Sequence, residues 1–374
     1  MADLSAVART FFPRGKILDI RPHGSGNVND TFLVTVWPEQ SALSQESTVE
    51  SHFILQRLNT EVFQRPELVM ANLGTVTRHV RRRLEREPLS RGRRFELPRV
   101  LLTPEGRDHV YDADDNFWRA LTFIERAETF DIIRDQEHGR ETGRALGLFH
   151  RLLADLPGPQ LANTLPGFHV TPGYLRFYDE TLAARKAPPL PEVAYCLRFV
   201  AERRAWAGLL EGAKDQGKLK ERVIHGDPKV NNVMLEVDTG RAVALVDLDT
   251  VKPGLVQYDI GDCLRSCCNP LGEETEDWEE VRFEPDLANA ILAGYLPWAR
   301  DFLTASDYAY LYDSIRLLAF ELGLRFFTDY LAGNVYFKAR RQEHNLVRAL
   351  VQFKLTESIE AQAGAIRTII RDLA

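Results

Sequence analysis

Cysteine is scarce in this chain. Cys196, Cys263, Cys267 and Cys268 are the only four in 374 residues, and none stands in the paired Cys-x-x-Cys spacing of a structural zinc site. They are expected to be reduced core residues. No apolar run is long enough to span a bilayer, and the opening MADLSAVARTFF has neither the basic start nor the apolar centre of a secretory signal. The cytoplasm is the default expectation, with no membrane partner. Positive charge is not in excess either: 47 Lys and Arg against 54 Asp and Glu leave a formal net charge of −7, which argues against a nucleic-acid partner. Repeats and low-complexity tracts are absent. A metal-dependent hydrolase would need a histidine cluster or a nucleophile elbow, and the sequence has neither. Cys268-Asn269-Pro270-Leu271-Gly272 comes near the motif of formylglycine sulfatases but lacks its arginine.

A chain of 374 residues can bury a large core and more readily holds two lobes than one. An N-terminal helix is followed by strand-like patterns near 16–21, 30–37, 51–58 and 97–124, interrupted by a helix near 66–87. Helical patterns then dominate, near 136–155, 192–214, 286–297, 306–331 and 340–372. The expected fold class is α+β, with a β-rich lobe over 1–125 and a mainly helical lobe over 126–374.

Residues 223–250 read VIHGDPKVNNVMLEVDTGRAVALVDLDT. The stretches 233–237 and 242–246 are short, apolar and rich in β-branched residues, and Asp238-Thr239-Gly240 between them carries turn chemistry, so a hairpin is expected. Asn232 lies seven residues before Thr239 and Asp247 seven after Gly240, which sets them side by side at the hairpin's open end. One metal can then touch both. Pro228 keeps the chain at Asp227 from continuing as a strand and leaves that carboxylate in a loop facing the same place. Moving the terminal phosphoryl group of ATP needs oxygen ligands for Mg²⁺ and a carboxylate beside the attacking hydroxyl to take its proton. Singly, such residues are ordinary in turns. The ordered set, followed by two strands of matched length, is what points to phosphoryl transfer. His225 is expected to brace the loop by hydrogen bonds rather than to ionise in catalysis.

His225-Gly226-Asp227, Asn232 five residues later and Asp247 at the end of an apolar strand resemble the aminoglycoside phosphotransferase and choline kinase superfamily, which has a two-lobed, protein-kinase-like fold. Within it the chain is most similar to the N-acetylhexosamine 1-kinases, from Gly24 to about Lys338. The strings that carry this are GNVNDTFLV from Gly26, FILQRLNTEVF from Phe53, LVDLDTVKPGLVQYDIGDCLRS from Leu245 and LRFFTDYLAGNVYFK from Leu324. The resemblance implies an ATP-dependent kinase that phosphorylates the anomeric hydroxyl of N-acetylglucosamine or N-acetylgalactosamine. It implies Asp227 as catalytic base in contact with the substrate, Asn232 and Asp247 as Mg²⁺ ligands at the nucleotide, and Arg325 and Tyr336 as sugar contacts. Asp249 and Asp259 match the motif as structural supports.

The chain also departs from the protein-kinase pattern. A strand lysine paired to a helix glutamate holds the phosphates there, whereas the corresponding strand here ends in Gln56-Arg57. Arg57 is the candidate replacement, with only Glu67 nearby as an acidic partner. Ser25, Gly26 and Asn27, after Gly24, can offer backbone N–H groups to the phosphates. Residues 117–124 suit an interior strand, and Glu125 after it resembles the start of the hinge whose backbone pairs with adenine. For Arg325 the structural alternative is a salt bridge to Glu321, one helical turn back. Tyr336 follows the helix-stop pair Gly333-Asn334 and is expected at a turn, with a packed aromatic role as its alternative.

Two charge runs read as surface. The arginines of 81–94 are taken as solvated rather than as a polyphosphate or RNA site, and EETEDWEE over 273–280 as a flexible acidic loop rather than a trap for a cationic substrate. An amino alcohol or aminoglycoside remains the alternative acceptor. A non-catalytic nucleotide-binding scaffold is the alternative from another class.

Overall fold

A computed structural model of the chain describes residues 3–24, 28–37, 50–90 and 92–374. Its first part runs α1 (Leu4–Phe11), β1 (Lys16–Pro22), β2 (Asp30–Trp37), β3 (Ser51–Arg57), α2 (Pro66–Arg86), β4 (Val100–Leu101), β5 (Val110–Tyr111) and β6 (Phe117–Thr122). Then come β7 (Ala127–Glu128), α3 (Gln136–Leu153), α4 (Thr171–Ala184), α5 (Pro191–Arg203), α6 (Leu209–Asp215), β8 (Glu221–Ile224), β9 (Val233–Glu236), β10 (Ala242–Leu245) and β11 (Lys252–Leu255). The chain finishes with α7 (Val256–Cys267), α8 (Pro285–Ala299), α9 (Ala305–Ala309), α10 (Leu311–Ala332), α11 (His344–Ala361) and α12 (Ala363–Leu373).

The first sheet has the order β1-β2-β3-β6-β4, with β5 also paired to β6. β6 reads FWRALT and is buried at all but its last residue, as a central strand should be. Behind the sheet, α2 begins with Pro66 in its first turn and buries Val69, Met70, Leu73, Val76 and Val80, a stripe at helical spacing. Leu73, Val76 and Val80 share one apolar cluster with Leu148, Phe149 and Leu152 of α3 and with Val233 and Leu245 of the β9–β10 hairpin. The sheet and the helical body therefore meet through a continuous core. A larger core unites α5, α7, α8, α10 and α11. α10 is apolar around most of its girth and is buried accordingly.

α3 and α8 touch backbone to backbone. A methyl group at Gly143 would stand 1.9 Å from the Ile291 carbonyl oxygen, and one at Gly294 would stand 2.0 Å from that of Arg140. Alanine adds about 1 kcal/mol of helix propensity. Overpacking against rigid backbone costs about 3 kcal/mol or more, so it wins. Gly143→Ala is expected to lower the urea midpoint markedly, and an unchanged midpoint would contradict this helix contact.

The structure adjusts several sequence expectations. The strands expected near 97–124 are three short ones, β4, β5 and β6, separated by turns at 103–106 and 112–115. The helix expected over 306–331 divides at Tyr310, the C-cap of a separate α9 that a Thr304–Asp307 capping box starts. The stretch 340–372 divides at Gln362, and 192–214 at Arg204–Trp206. α4 was not anticipated: its Thr-Pro-Gly start resembles a turn, and only Thr171, Tyr178 and Thr181 are fully buried in it.

Candidate active site

Pairing of β8 with β11 closes the base of the segment that carries the motif residues, with Ile224 opposite Lys252. The β9–β10 hairpin projects from that base, with Leu245 opposite Val233. Val246 N–H donates to the Asn232 carbonyl at 2.9 Å, extending the ladder to the open end, so Asn232 and Asp247 lie on adjoining strand ends. Asp247 has φ 61°, a left-handed conformation that aspartate tolerates better than most residues. The Asn232 amide nitrogen donates to the Asp227 carbonyl at 2.7 Å and lies 3.3 Å from its carboxylate.

The backbone leading into Asp227 is held from below. The Asp259 carboxylate accepts from the N–H groups of His225 at 2.6 Å and Gly226 at 2.8 Å, and also contacts His150 at 2.8 Å. His225 is wholly buried, with Nε2 3.0 Å from the Val246 carbonyl and Nδ1 accepting from Asp227 N–H at 3.3 Å. Burial holds its pKa below the ordinary histidine value, so it braces the loop as a neutral ring.

Charges in the loop compete. Enclosure by protein would raise Asp227, but the Lys229 ammonium 2.9 Å away outweighs it and holds the carboxyl below the usual range. Asp247 goes the other way: enclosure pushes it up first, and the Asp249 and Asp227 carboxylates add to this. Its side chain still opens to water within the cleft, so the full penalty of a dry interior does not apply. A carboxylate raised by neighbouring carboxylates beside an amide oxygen is a donor set that fits a hard divalent cation, of the kind that keeps phosphate and water as its other ligands.

A cleft of about 820 Å³ separates this loop from the sheet. Ile54, Leu121, Ile124, Met234 and Val246 give it an apolar slot, while Asp227, Lys229, Asn232 and Asp247 line its polar end. Phe123 and Ile124 line the slot, but Glu125 does not. At Glu125, where the hinge was expected, the carbonyl accepts from Arg94 at 2.6 Å and the carboxylate contacts His52 at 3.1 Å. Ser25, Gly26 and Asn27 lie outside the described residues.

Arg57 is turned away from the cleft. It faces Asp30, its register partner on β2, with Nε 2.9 Å from that carboxylate, and does not line the cleft. Side chains alternate along a strand, so Gln56 is the one that points inward. Gln56 Oε1 accepts from Arg119 of β6 at 3.0 and 2.8 Å, and Arg119 pairs with Asp249 at 2.6 Å, both side chains 2 % exposed. On the sheet side of the cleft the lining cation is thus Arg119 of β6, not Arg57. Asp249 also accepts from Asn29 at 2.7 Å, which ties the residue before β2 to the hairpin side of the cleft.

Arg325 and Tyr336 do not line this cleft. The Arg325 guanidinium lies among rings, 4.9 Å from the Tyr174 centroid, 5.2 Å from Phe168, 5.3 Å from Phe337 and 6.0 Å from Tyr336. The alternative salt bridge with Glu321 is not made, because that carboxylate is taken by His169 at 2.9 Å and Thr171 at 2.5 Å. Among the described residues Arg325 makes no ion pair or hydrogen bond; rings surround it, and the Glu321 and Asp227 carboxylates act on it at longer range. Tyr336 is half exposed at a turn whose backbone is fixed by Asp329, which accepts from the N–H groups of Val335, Tyr336 and Phe337.

Both charge runs are more engaged than their composition suggests. Arg93 pairs with the buried Glu141 at 2.6 Å, and Arg94 bonds to Glu96 and Glu236. In the acidic run, Glu273 pairs with Arg265 at 2.9 Å, Glu274 with His344 and Arg348, and Glu276 with Arg341. The first part of that run, Glu273 to Glu276, is thus held by cations.

The site also contains residues that the sequence reading did not single out. Lys229, two residues past Asp227, had a legible signal in that spacing. Arg119 had a weaker one, a lone charge inside a buried strand. His169 and Gln56 had none, since their partners come from distant elements.

A sheet packed over a helical body with a polar loop facing the cleft between them is the architecture of protein-kinase-like phosphotransferases. Residues 19–306 match the model of the phosphotransferase enzyme family, and the chain belongs to that family. Solved structures agree at the level of the fold. An aminoglycoside phosphotransferase from Alicyclobacillus acidocaldarius superimposes with a TM-score of 0.61 at 14 % identity, covering 98 % of this chain and 96 % of that one. A microcompartment-associated aminopropanol kinase gives 0.59 at 15 % identity, covering 97 % and 98 %. The GDP complex of aminoglycoside 2′-phosphotransferase-IIIa gives 0.59 at 12 % identity, covering 96 % and 98 %.

Proposed function

We propose that the protein transfers the γ-phosphoryl group of ATP to the anomeric hydroxyl of an N-acetylhexosamine, releasing ADP and the sugar 1-phosphate. The observation that carries the acceptor class is Arg325. A guanidinium ringed by aromatic side chains, with no carboxylate in ion-pair contact and only Glu321 and Asp227 acting on it at longer range, suits a neutral acceptor that offers oxygen atoms, such as an acetamido carbonyl, and opposes a cationic one. The nearby acidic side chains Glu273 and Glu274 are already paired with Arg265, His344 and Arg348, which leaves them poorly placed to attract an ammonium.

In this reading residues 1–125 form the nucleotide lobe and 126–374 the catalytic and acceptor lobe. Asp227 orients the acceptor hydroxyl and takes its proton as the new P–O bond forms and the bond to ADP breaks. The Asn232 amide, on the Asp227 carbonyl, keeps the loop in shape. Lys229 can leave Asp227 for the incoming phosphate, trading one anion for another. Asn232 and Asp247 would hold Mg²⁺, which supplies charge neutralisation on the phosphates. Arg119, together with Gln56, takes the place on the sheet side where the family resemblance expects a lysine.

Initial rates of ADP release with Mg²⁺-ATP across N-acetylhexosamines, neutral hexoses, amino alcohols and aminoglycosides test the acceptor. Arg325→Ala is expected to raise the sugar KM about tenfold or more, worth about 1.4 kcal/mol, with kcat less affected. An unchanged KM would return Arg325 to a packing role. Turnover with cationic acceptors alone would keep the kinase and overturn the sugar.

A further inference from the structure

We propose that His169 is a standing imidazolium that positions the catalytic loop, joining the Gly226 carbonyl to the Glu321 carboxylate of α10. Its catalytic consequence rests on the reading above, in which the neighbouring Asp227 is the base.

The geometry demands two donors from one ring. His169 Nδ1 lies 2.9 Å from Glu321 Oε1, and Nε2 lies 2.7 Å from the Gly226 carbonyl oxygen. A carbonyl only accepts, and an ionised carboxylate only accepts. Neutral imidazole carries one N–H and would satisfy one of them, whereas imidazolium satisfies both. The other Glu321 oxygen accepts from Thr171 at 2.5 Å, so the carboxylate is fixed in place. The ring is 3 % exposed and stacks on Tyr258 at 5.4 Å, so water cannot substitute for either partner.

What the imidazolium holds is the peptide leading into Asp227. Gly226 has φ 88°, and a methyl group there would stand 2.8 Å from the Thr250 carbonyl oxygen, so this position needs glycine. Its N–H is held by Asp259 at 2.8 Å and its carbonyl by His169 at 2.7 Å. The two peptide planes that flank Gly226 are thereby fixed, one by each bond. His169 itself has φ 63°, an uncommon conformation for a non-glycine residue, which its two hydrogen bonds help to maintain. Glu321 sits one turn before Arg325 on α10, and Phe168 lies under the Arg325 guanidinium at 5.2 Å. The acceptor-side cation and the catalytic loop therefore share one rigid support.

Burial alone would lower the pKa of this ring, but Glu321 outweighs burial and the value lies above the ordinary 6.5. The other groups facing it are Asp262 and Tyr258 from α7, Tyr174 from α4, Lys252 from β11 and Arg325 from α10. Lys252, which donates to the Phe168 carbonyl, is pushed down to about 8 by its own burial; it still opposes the imidazolium at neutral pH and loses its charge only above that. The sign follows from the raised value. The stabilisation is complete below the unfolded pKa and is lost as the pH rises through the folded one.

¹⁵N NMR of histidine-labelled protein reads the charge directly, with the His169 resonances assigned by His169→Gln. Both ring nitrogens are expected to be protonated at neutral pH; a neutral ring there would overturn the proposal. This arm uses the protein alone, so a failure to find any acceptor leaves it decisive. The kinetic arm uses Glu321→Gln, which removes the counter-charge but keeps the shape. Its fall in kcat with rising pH should move to lower pH than in the wild type, with the ATP KM unchanged. A folded Glu321→Gln protein with the wild-type pH profile would also overturn it.

Discussion

Asp227→Asn is expected to abolish most turnover while leaving nucleotide binding close to normal. The substitution keeps size and hydrogen-bonding shape but removes the only atoms at that position able to take a proton. Loss of a positioned general base costs about 10²–10⁴-fold in rate. ATP affinity should hold or improve slightly, because Lys229 loses its 2.9 Å carboxylate partner and becomes freer to meet phosphate. Calorimetric ATP titration beside single-turnover rates separates the two effects. Near-normal turnover in the purified, folded variant would remove Asp227 from the role of base. The wild-type base stays ionised well into acid, since Lys229 holds its pKa below the usual carboxylate range, so Asp227 itself is not expected to limit activity between about pH 5 and 8.

Asp247→Asn is expected to weaken nucleotide binding through the metal. Asparagine is the informative replacement because φ at this position is 61°, and asparagine adopts the left-handed region more readily than alanine. The backbone is then preserved while the charge is lost. The apparent Kd for Mg²⁺-ATP should rise about tenfold or more, and the Mg²⁺ concentration for half-maximal rate should rise with it. Unchanged nucleotide affinity would count against the metal assignment. A stability effect of opposite sign accompanies this. The Asp247 pKa is raised in the folded chain, so the native state loses stability as the pH climbs from the unfolded carboxylate value through the folded one. Asp247→Asn should therefore raise Tm at neutral pH in the absence of Mg²⁺. A site that is less stable empty than filled is what a metal-binding role implies.

Much of this was legible in the residue order. The hairpin over 233–246 was readable because β-branched runs flanked an Asp-Thr-Gly turn, and its register then set Asn232 beside Asp247. The first three strands were readable from alternation and apolar content. What could not be read depended on partners far along the chain. Arg57 and Gln56 are neighbours in sequence on opposite faces of β3, and only the sheet determines which faces the cleft. Arg119 became relevant through Asp249, 130 residues later, and His169 through Glu321 and Gly226. Glu321 had a plausible local partner in Arg325, one turn away, but the buried His169 ring offered it a stronger one. The acidic run at 273–280 looked free because its cations lie mostly beyond residue 340.

The most direct test of the central claim is ³¹P NMR of the product formed from Mg²⁺-ATP and an N-acetylhexosamine, resolved for coupling to the sugar protons. The reading predicts a phosphomonoester coupled to the anomeric proton, appearing in step with ADP. Phosphate on another hydroxyl, or ATP left intact with every acceptor offered, would contradict it.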